Sequence, residues 1–305
     1  MNFNSNLIKG ISCYNACLLY VGAMLGYEYQ IACANSYIFE YHHSSLNHTI
    51  GDRLEVEDHT IPDFAEKQLN LCFHKYQKNN TSVMCIHREL SFKNPVIITI
   101  NSFFCPWSEF YNRQNKLHNI IVIRRECDRY YCIDPQAKQI YHFITRQQLD
   151  EMLCDSIYLW GGSKQGRINY NKIYIESRNK IRSGSIIKNL YYFYGDIQNL
   201  TKENLKEEYK KYLGCYWECF LFYKLAITLP RYHILYVDFL KCINKQLNIS
   251  NFQKICRLIQ KSADQWKLIQ NKLLRSYLTD KLVLPNILES IGTVIQHETA
   301  IQKLF

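Results

Sequence analysis

Between Cys13 and Leu25 the chain reads CYNACLLYVGAML, with no charged residue and no proline. Most of these residues are good helix formers, and Gly26 stands where a helix commonly ends in a left-handed turn. A helix without a charged face is one enclosed by other elements. No stretch reaches the roughly 20 apolar residues that span a membrane; the nearest, CFLFYKLAITLP, is broken by Lys224 and ends in Pro230. The chain therefore needs a domain built around the helix that begins at Cys13.

The material for that domain lies downstream. NPVIITIN, HNIIVIR, RYYCID, QIYHFI and NKIYIES are strand-length runs of β-branched and aromatic residues bounded by turn formers, and RECDR joins two of them as a hairpin. ITRQQLDEML predicts a short helix, with Thr145 as N-cap and Gln148 at the capping-box position. Near residue 180 the period changes. Leu205, Tyr209, Tyr212, Leu213, Tyr216 and Phe220 recur at helical spacing, as do Phe252, Ile255, Ile259, Ala263 and Trp266. Thr201 with Asn204 and Ser250 with Gln253 read as helix starts, and Pro230 and Pro285 as breaks. A chain of 305 residues is long enough for two domains. The expected fold is α+β: a mixed domain over residues 1–183 with a buried helix and an antiparallel sheet, then an all-helical domain over 184–305.

A formal net charge of +10 favours an acidic partner. The densest stretches, SRNKIRSGSIIKN and RLIQKSADQWKLIQNKLLR, interleave charge with apolar residues and read as solvated helix faces. With no zinc-finger spacing and no RNA-binding aromatic motif, nucleic acid is not the expected partner. The 13 cysteines form no Cys-x-x-Cys pair. CYNAC and CYWEC place thiols at i and i+4, but neither has the second Cys/His pair that zinc needs, so no metal and no cofactor are expected. The start, MNFNSNLIKG, lacks a cleavage pattern. Most cysteines then read as small buried residues of a cytoplasmic protein.

Cys13 falls in the first turn of its helix, where unpaired backbone N–H groups and the helix dipole stabilise a thiolate. His118 opens one predicted strand and Asp134 closes the next, so an antiparallel pair can bring them together. Each residue alone has an ordinary explanation: a helical cysteine packs, a strand-edge histidine is structural, and an aspartate before proline belongs to a turn. Together, in this order and on these elements, they read as Cys-His-Asp for nucleophilic catalysis. Cys17, one turn on, is the rival nucleophile; the dipole helps it less because it lies deeper in the helix.

Two segments carry a family resemblance. SCYNACLLYVGAMLGYE resembles the nucleophile helix of papain-like proteins of the bacterial peptidase C39 branch, and most of all that of the N-terminal domain of butirosin biosynthesis protein H and its relatives. NPVIITINSFFCPWSEFYNRQNKLHNIIVIRRECDRYYCIDP resembles that family's second signature: an apolar strand, an aromatic pair with a proline, then the His and Asp-Pro strands. The resemblance covers roughly residues 10–45 and 94–160. It implies a papain-like fold with Cys13 as nucleophile, His118 as base and Asp134 as the carboxylate that orients it. Asn101, Phe104 and Trp107 fall on the substrate side of the signature. The chain departs from the family at Ser12, often His; at Asn101, where an acidic residue is usual; and at Cys105, in place of Leu. Members of the family take an acyl chain from a carrier-protein thioester, held on a phosphopantetheine arm, and pass it to an amine. In one branch, that of closthioamide assembly, the amine is a diamine. The resemblance thus implies an acidic acyl or peptidyl carrier protein and a small amine as partners. Hydrolysis by the same triad, as peptidase or thioesterase, and a non-catalytic binding role on the same fold stay open.

Overall fold

The computed structural model describes residues 10–43, 49–57, 59–163, 166–213 and 221–305. The chain forms two compact units, Met1–Ala32 with Ile61–Ile168, and Cys33–Thr60 with Asn169–Phe305. Among the described residues, no helix is long and apolar enough to cross a membrane.

The first unit is built on a six-stranded sheet. Its strands are β1 (Phe73–Gln77), β2 (Val96–Asn101), β3 (Leu117–Glu126), β4 (Arg129–Ile133), β5 (Tyr141–Thr145) and β6 (Leu153–Trp160). They run antiparallel in the spatial order β1-β6-β2-β3-β4-β5. Four helices accompany them: α1 (Cys13–Met24), α2 (Ile61–Leu69), α3 (Ser82–Ser91) and α4 (Arg146–Met152). In β2, Val96 to Ile100 are all buried, four aliphatic residues and Thr99, as in a strand covered on both faces. Alternation then divides its neighbours. Ile98, Ile100, Ile120, Val122, Tyr130 and Cys132 pack with Leu149 and Met152 of α4 in one core.

Helix α1 is buried without interruption from Asn15 to Ala23. Ser12 caps it, its Oγ accepting from Asn15 N at 3.2 Å. Gly26 ends it at φ +80°, the left-handed turn its position suggested. A Cβ on Gly22 would lie 2.8 Å from Leu71 Cδ2 and 3.0 Å from Tyr29 Cβ, so only glycine lets those side chains approach. Burying each of Leu18, Leu19 and Val21 contributes roughly 1.5–3 kcal/mol. The expected capping box of α4 is present: Thr145 Oγ1 accepts from Gln148 N at 3.2 Å, and Gln148 Oε1 from Thr145 N at 2.9 Å.

One expected strand is a helix. NKIYIES lies within α5 (Tyr170–Arg182), where Ile173, Ser177 and Ile181 are the buried positions. Their spacing of four is helical, and Asn169 Oδ1 caps the start by accepting from Lys172 N at 3.1 Å. The local alternation of apolar residues was misleading, because Ile175 is left exposed. The helical part after the sheet thus begins at Tyr170 and not at 184. The second unit also takes in residues 33–60, because their side chains complete its core. Phe39 stacks on Trp266 at 5.2 Å, and Ser177 Oγ donates to Ala34 O at 2.7 Å.

The long helices that follow in this unit are α6 (Ser185–Gln198), α7 (Lys202–Leu213), α8 (Leu229–Leu247), α9 (Phe252–Leu278) and α10 (Leu284–Leu304), and the 33–60 segment adds a two-stranded sheet of Glu40–Tyr41 with Leu54–Glu55. Thr201 and Asn204 cap α7 as expected, Thr201 Oγ1 accepting from Asn204 N at 3.1 Å. Ser250 does not cap α9: Asn251, at φ +59°, is the residue before its first turn and makes no side-chain cap bond. Pro285 sits in the first turn of α10, where a missing N–H is harmless, whereas Pro230 follows directly on helical residues and marks no break. A π-helical stretch, Lys224–Thr228, leads directly into α8. Tyr216, Phe220 and the CYWEC pair lie outside the described residues.

A buried carboxyl sits among these helices. Glu298 accepts from Tyr37 Oη and Ser262 Oγ, each at 2.6 Å. Burial pushes its pKa up to about 7, against the lowering effect of those two hydroxyls. A carboxyl whose folded pKa exceeds its unfolded value adds stability at low pH that is lost as pH rises through the folded value. The Glu298→Gln variant removes this titration. Its melting temperature relative to the parent is expected to rise steadily from pH 4 to pH 8, by the equivalent of about 3 kcal/mol. Parallel melting curves of parent and variant across that range would refute it.

Candidate active site

The first turn of α1 brings Cys13 to the end of β3. Its sulfur accepts a hydrogen bond from Asn119 Nδ2 at 3.1 Å and lies close enough to His118 for the imidazole to lower its pKa. Residues 118 and 119 enter β3 paired with Ile100 and Thr99 of β2, so the hairpin register fixes both at this position. Cys13 itself is partly exposed, while Cys17, one turn deeper, is fully buried.

Asp134 follows β4 immediately, and three donors converge on it. Oδ2 accepts from His118 Nε2 at 3.0 Å and from Trp107 Nε1 at 2.9 Å, and Oδ1 accepts from Gln136 N at 3.0 Å. The last bond closes the Asp-Pro turn on its own side chain. Gln136 also reaches back, its Nε2 donating to Ile11 O at 2.6 Å, and so ties this turn to the segment that enters α1. With Nε2 of His118 committed to Asp134, Nδ1 is the ring nitrogen left for Cys13.

The electrostatics follow from these bonds. Burial opposes ionisation of Cys13, yet the hydrogen bond and charge of His118, with the Asn119 donor, bring its pKa below the ordinary thiol value. Burial likewise opposes the imidazolium, but Asp134 and Cys13 together raise the His118 pKa to about 10. Burial also works against the Asp134 carboxylate, and His118, Trp107 and the Gln136 amide outweigh it. These interactions therefore favour the thiolate–imidazolium pair, backed by a carboxylate, more than an ordinary thiol and imidazole would. Cys17 goes the other way: burial first, then the neighbouring charge of Cys13, pushes its pKa well up. That arrangement can deliver a sulfur nucleophile to a carbonyl and a proton to a leaving group.

The structure thus brings together Cys13, His118 and Asp134, while the other three expected residues separate. Trp107 joins them through Asp134, with its ring stacked on His142 at 4.0 Å and 9°. Asn101 serves its own loop, Oδ1 accepting from Phe103 N at 3.0 Å and Nδ2 donating to Asn115 Oδ1 at 2.7 Å. Phe104 presents an exposed ring, packed edge-on against Phe103 at 5.1 Å. Asn119 and Gln136 escaped the sequence reading. Asn119 stands out only as the amide between the histidine and the apolar run Ile120–Ile123, and nothing local says what it bonds. Nothing local distinguishes Gln136. Among the described residues, no group of three or more His, Cys, Asp or Glu could hold a metal ion.

No protein-family model matches the chain, and no curated protein matches it either.

Limiting iodoacetamide at pH 7, followed by peptide mapping, is expected to label Cys13 well before Cys17, Cys105 and Cys132, whose pKa values burial raises. His118→Ala is expected to slow Cys13 labelling by roughly tenfold or more, since it removes the counter-charge. Equal labelling of Cys13 and Cys17 would contradict this ordering.

Proposed function

We propose that the chain is a cysteine-dependent acyltransferase of papain-like, C39-related type, which moves an acyl group from a carrier-protein thioester through Cys13 to an amine. The grouping of Cys13, His118 and Asp134 carries the reading, with the Cys13 thiolate favoured by His118 and the His118 imidazolium held by its hydrogen bond to Asp134. The thioester, the carrier and the amine come from the resemblance of residues 10–45 and 94–160 to the butirosin biosynthesis protein H family.

The chemistry follows from the charges. The Cys13 thiolate attacks the thioester carbonyl, and the N–H groups of Cys13 and Tyr14 at the start of α1, not Asn15 N, which Ser12 Oγ engages, stabilise the oxyanion. Collapse expels the carrier thiol, which takes the proton from His118 Nδ1. Exchange of one thioester for another is close to isoenergetic. His118, now neutral, accepts the proton of the attacking amine as the amide forms and Cys13 leaves as thiolate. The ion pair is then restored, and Asp134 keeps the ring in the required tautomer throughout.

Mass spectrometry after mixing the protein with an acyl-carrier thioester tests the first half: an acyl adduct on Cys13 is expected, and none in Cys13→Ala. With a diamine in excess, amide is the expected product. His118→Ala is expected to remove nearly all of it, and Asp134→Asn to slow its formation on the order of 10²–10⁴-fold. Free acid as the main product would make the protein a hydrolase using the same residues. No adduct at all would leave a binding protein.

A further inference from the structure

Both cysteines of CYNAC meet a single residue of β3. The side-chain amide of Asn119 donates from Nδ2 to Cys13 Sγ at 3.1 Å, and its main-chain carbonyl accepts from Cys17 Sγ at 3.3 Å. The direction of the amide is set from the other side. Thr99, buried opposite it on β2, donates from Oγ1 to Asn119 Oδ1 at 3.0 Å. With the oxygen engaged by that hydroxyl, the NH₂ end is the one turned to the sulfur.

An N–H aimed at sulfur favours the anion. A carbonyl aimed at sulfur favours the thiol, because a thiolate has no proton to give it. We propose that Asn119 sorts the two thiols of the helix: its side-chain N–H holds Cys13 as thiolate, while its carbonyl holds Cys17 as thiol. Thr99 acts through Asn119 as the positioning residue. The two cysteines stand one turn apart on the same helix face, so the helix alone separates them only by their distance from its end. One residue with a donor for the first and an acceptor for the second adds a chemical distinction. Asn119 is among the groups that lower Cys13, while burial and the charges of Cys13 and Asp134 raise Cys17 in the direction the carbonyl also favours. The proposal rests on Cys13 being the nucleophile, but its test needs no substrate.

The test is the alkylation rate of Cys13 and Cys17 with iodoacetamide from pH 5 to pH 10, in the full chain and in four variants. Asn119→Ala is expected to raise the Cys13 midpoint by about one pH unit, slowing the reaction below the midpoint roughly tenfold. Asn119→Asp is expected to raise it further, since a carboxylate oxygen then faces the sulfur. Thr99→Val is expected to shift the midpoint the same way, and Thr99→Ser, which keeps the hydroxyl, to leave it in place. A Cys13 midpoint unmoved in both Asn119 variants overturns the proposal, as does a lowered melting temperature with no movement of the midpoint. If the parent Cys13 already titrates like an ordinary thiol, the nucleophile reading fails and the sorting fails with it. A low parent midpoint retained in every variant overturns the sorting alone.

Discussion

The enclosure of α1 is the constraint on which the site depends. A helix buried continuously from Asn15 to Ala23 can be placed only where other elements cover it, and its first turn is then delivered to a fixed point at the end of β3. Cys13 owes its position to that packing. The Asn119 bonds to both cysteines and the Gln136 bond to Ile11 then fix the entry of the helix against the two strands. Burial also makes the hydrogen bonds effective, since competition from water is reduced where the helix meets the sheet.

Holding charge at such a place is costly, and the surrounding polar groups are arranged to offset the cost. Burial is the largest influence on Cys13, His118 and Asp134 alike, and in each case it opposes the ionised form. The thiolate has His118 and Asn119; the imidazolium has Asp134 and the thiolate; the carboxylate has His118, Trp107 and the Gln136 amide. Trp107, expected on the substrate side, thus belongs to the electrostatics of the site.

Two of the buried carboxyls make the point by contrast. Asp134 faces an imidazolium and accepts two N–H bonds besides, and its pKa is lowered. Glu298 accepts from two hydroxyls, which are weaker supports than a cation, and burial leaves it raised to about 7. The same desolvation acts on both. The partner decides which stays ionised.

Much of this was legible in the sequence, for local reasons. The charge-free run from Cys13, the Gly26 stop, the Thr145–Gln148 capping box and the four strands from NPVIITIN to QIYHFI are encoded within a few residues of one another. Cys13, His118 and Asp134 were accessible because a helix start, a strand start and a strand end are themselves local features. Tertiary structure decided the remainder. NKIYIES alternates like a strand, yet it is helical, because Ile173, Ser177 and Ile181 have a core to face. β1 and β6 lack a clear pattern of their own and exist through pairing with each other and, for β6, with β2. Residues 33–60 belong with a unit whose other part begins over a hundred residues later, a matter of packing on which local sequence is silent. The roles of Asn119, Thr99 and Trp107 were hidden for the same reason: a hydrogen bond between side chains far apart in sequence depends on the register of strands and the seating of a helix, and neither is written in the residues that make the bond.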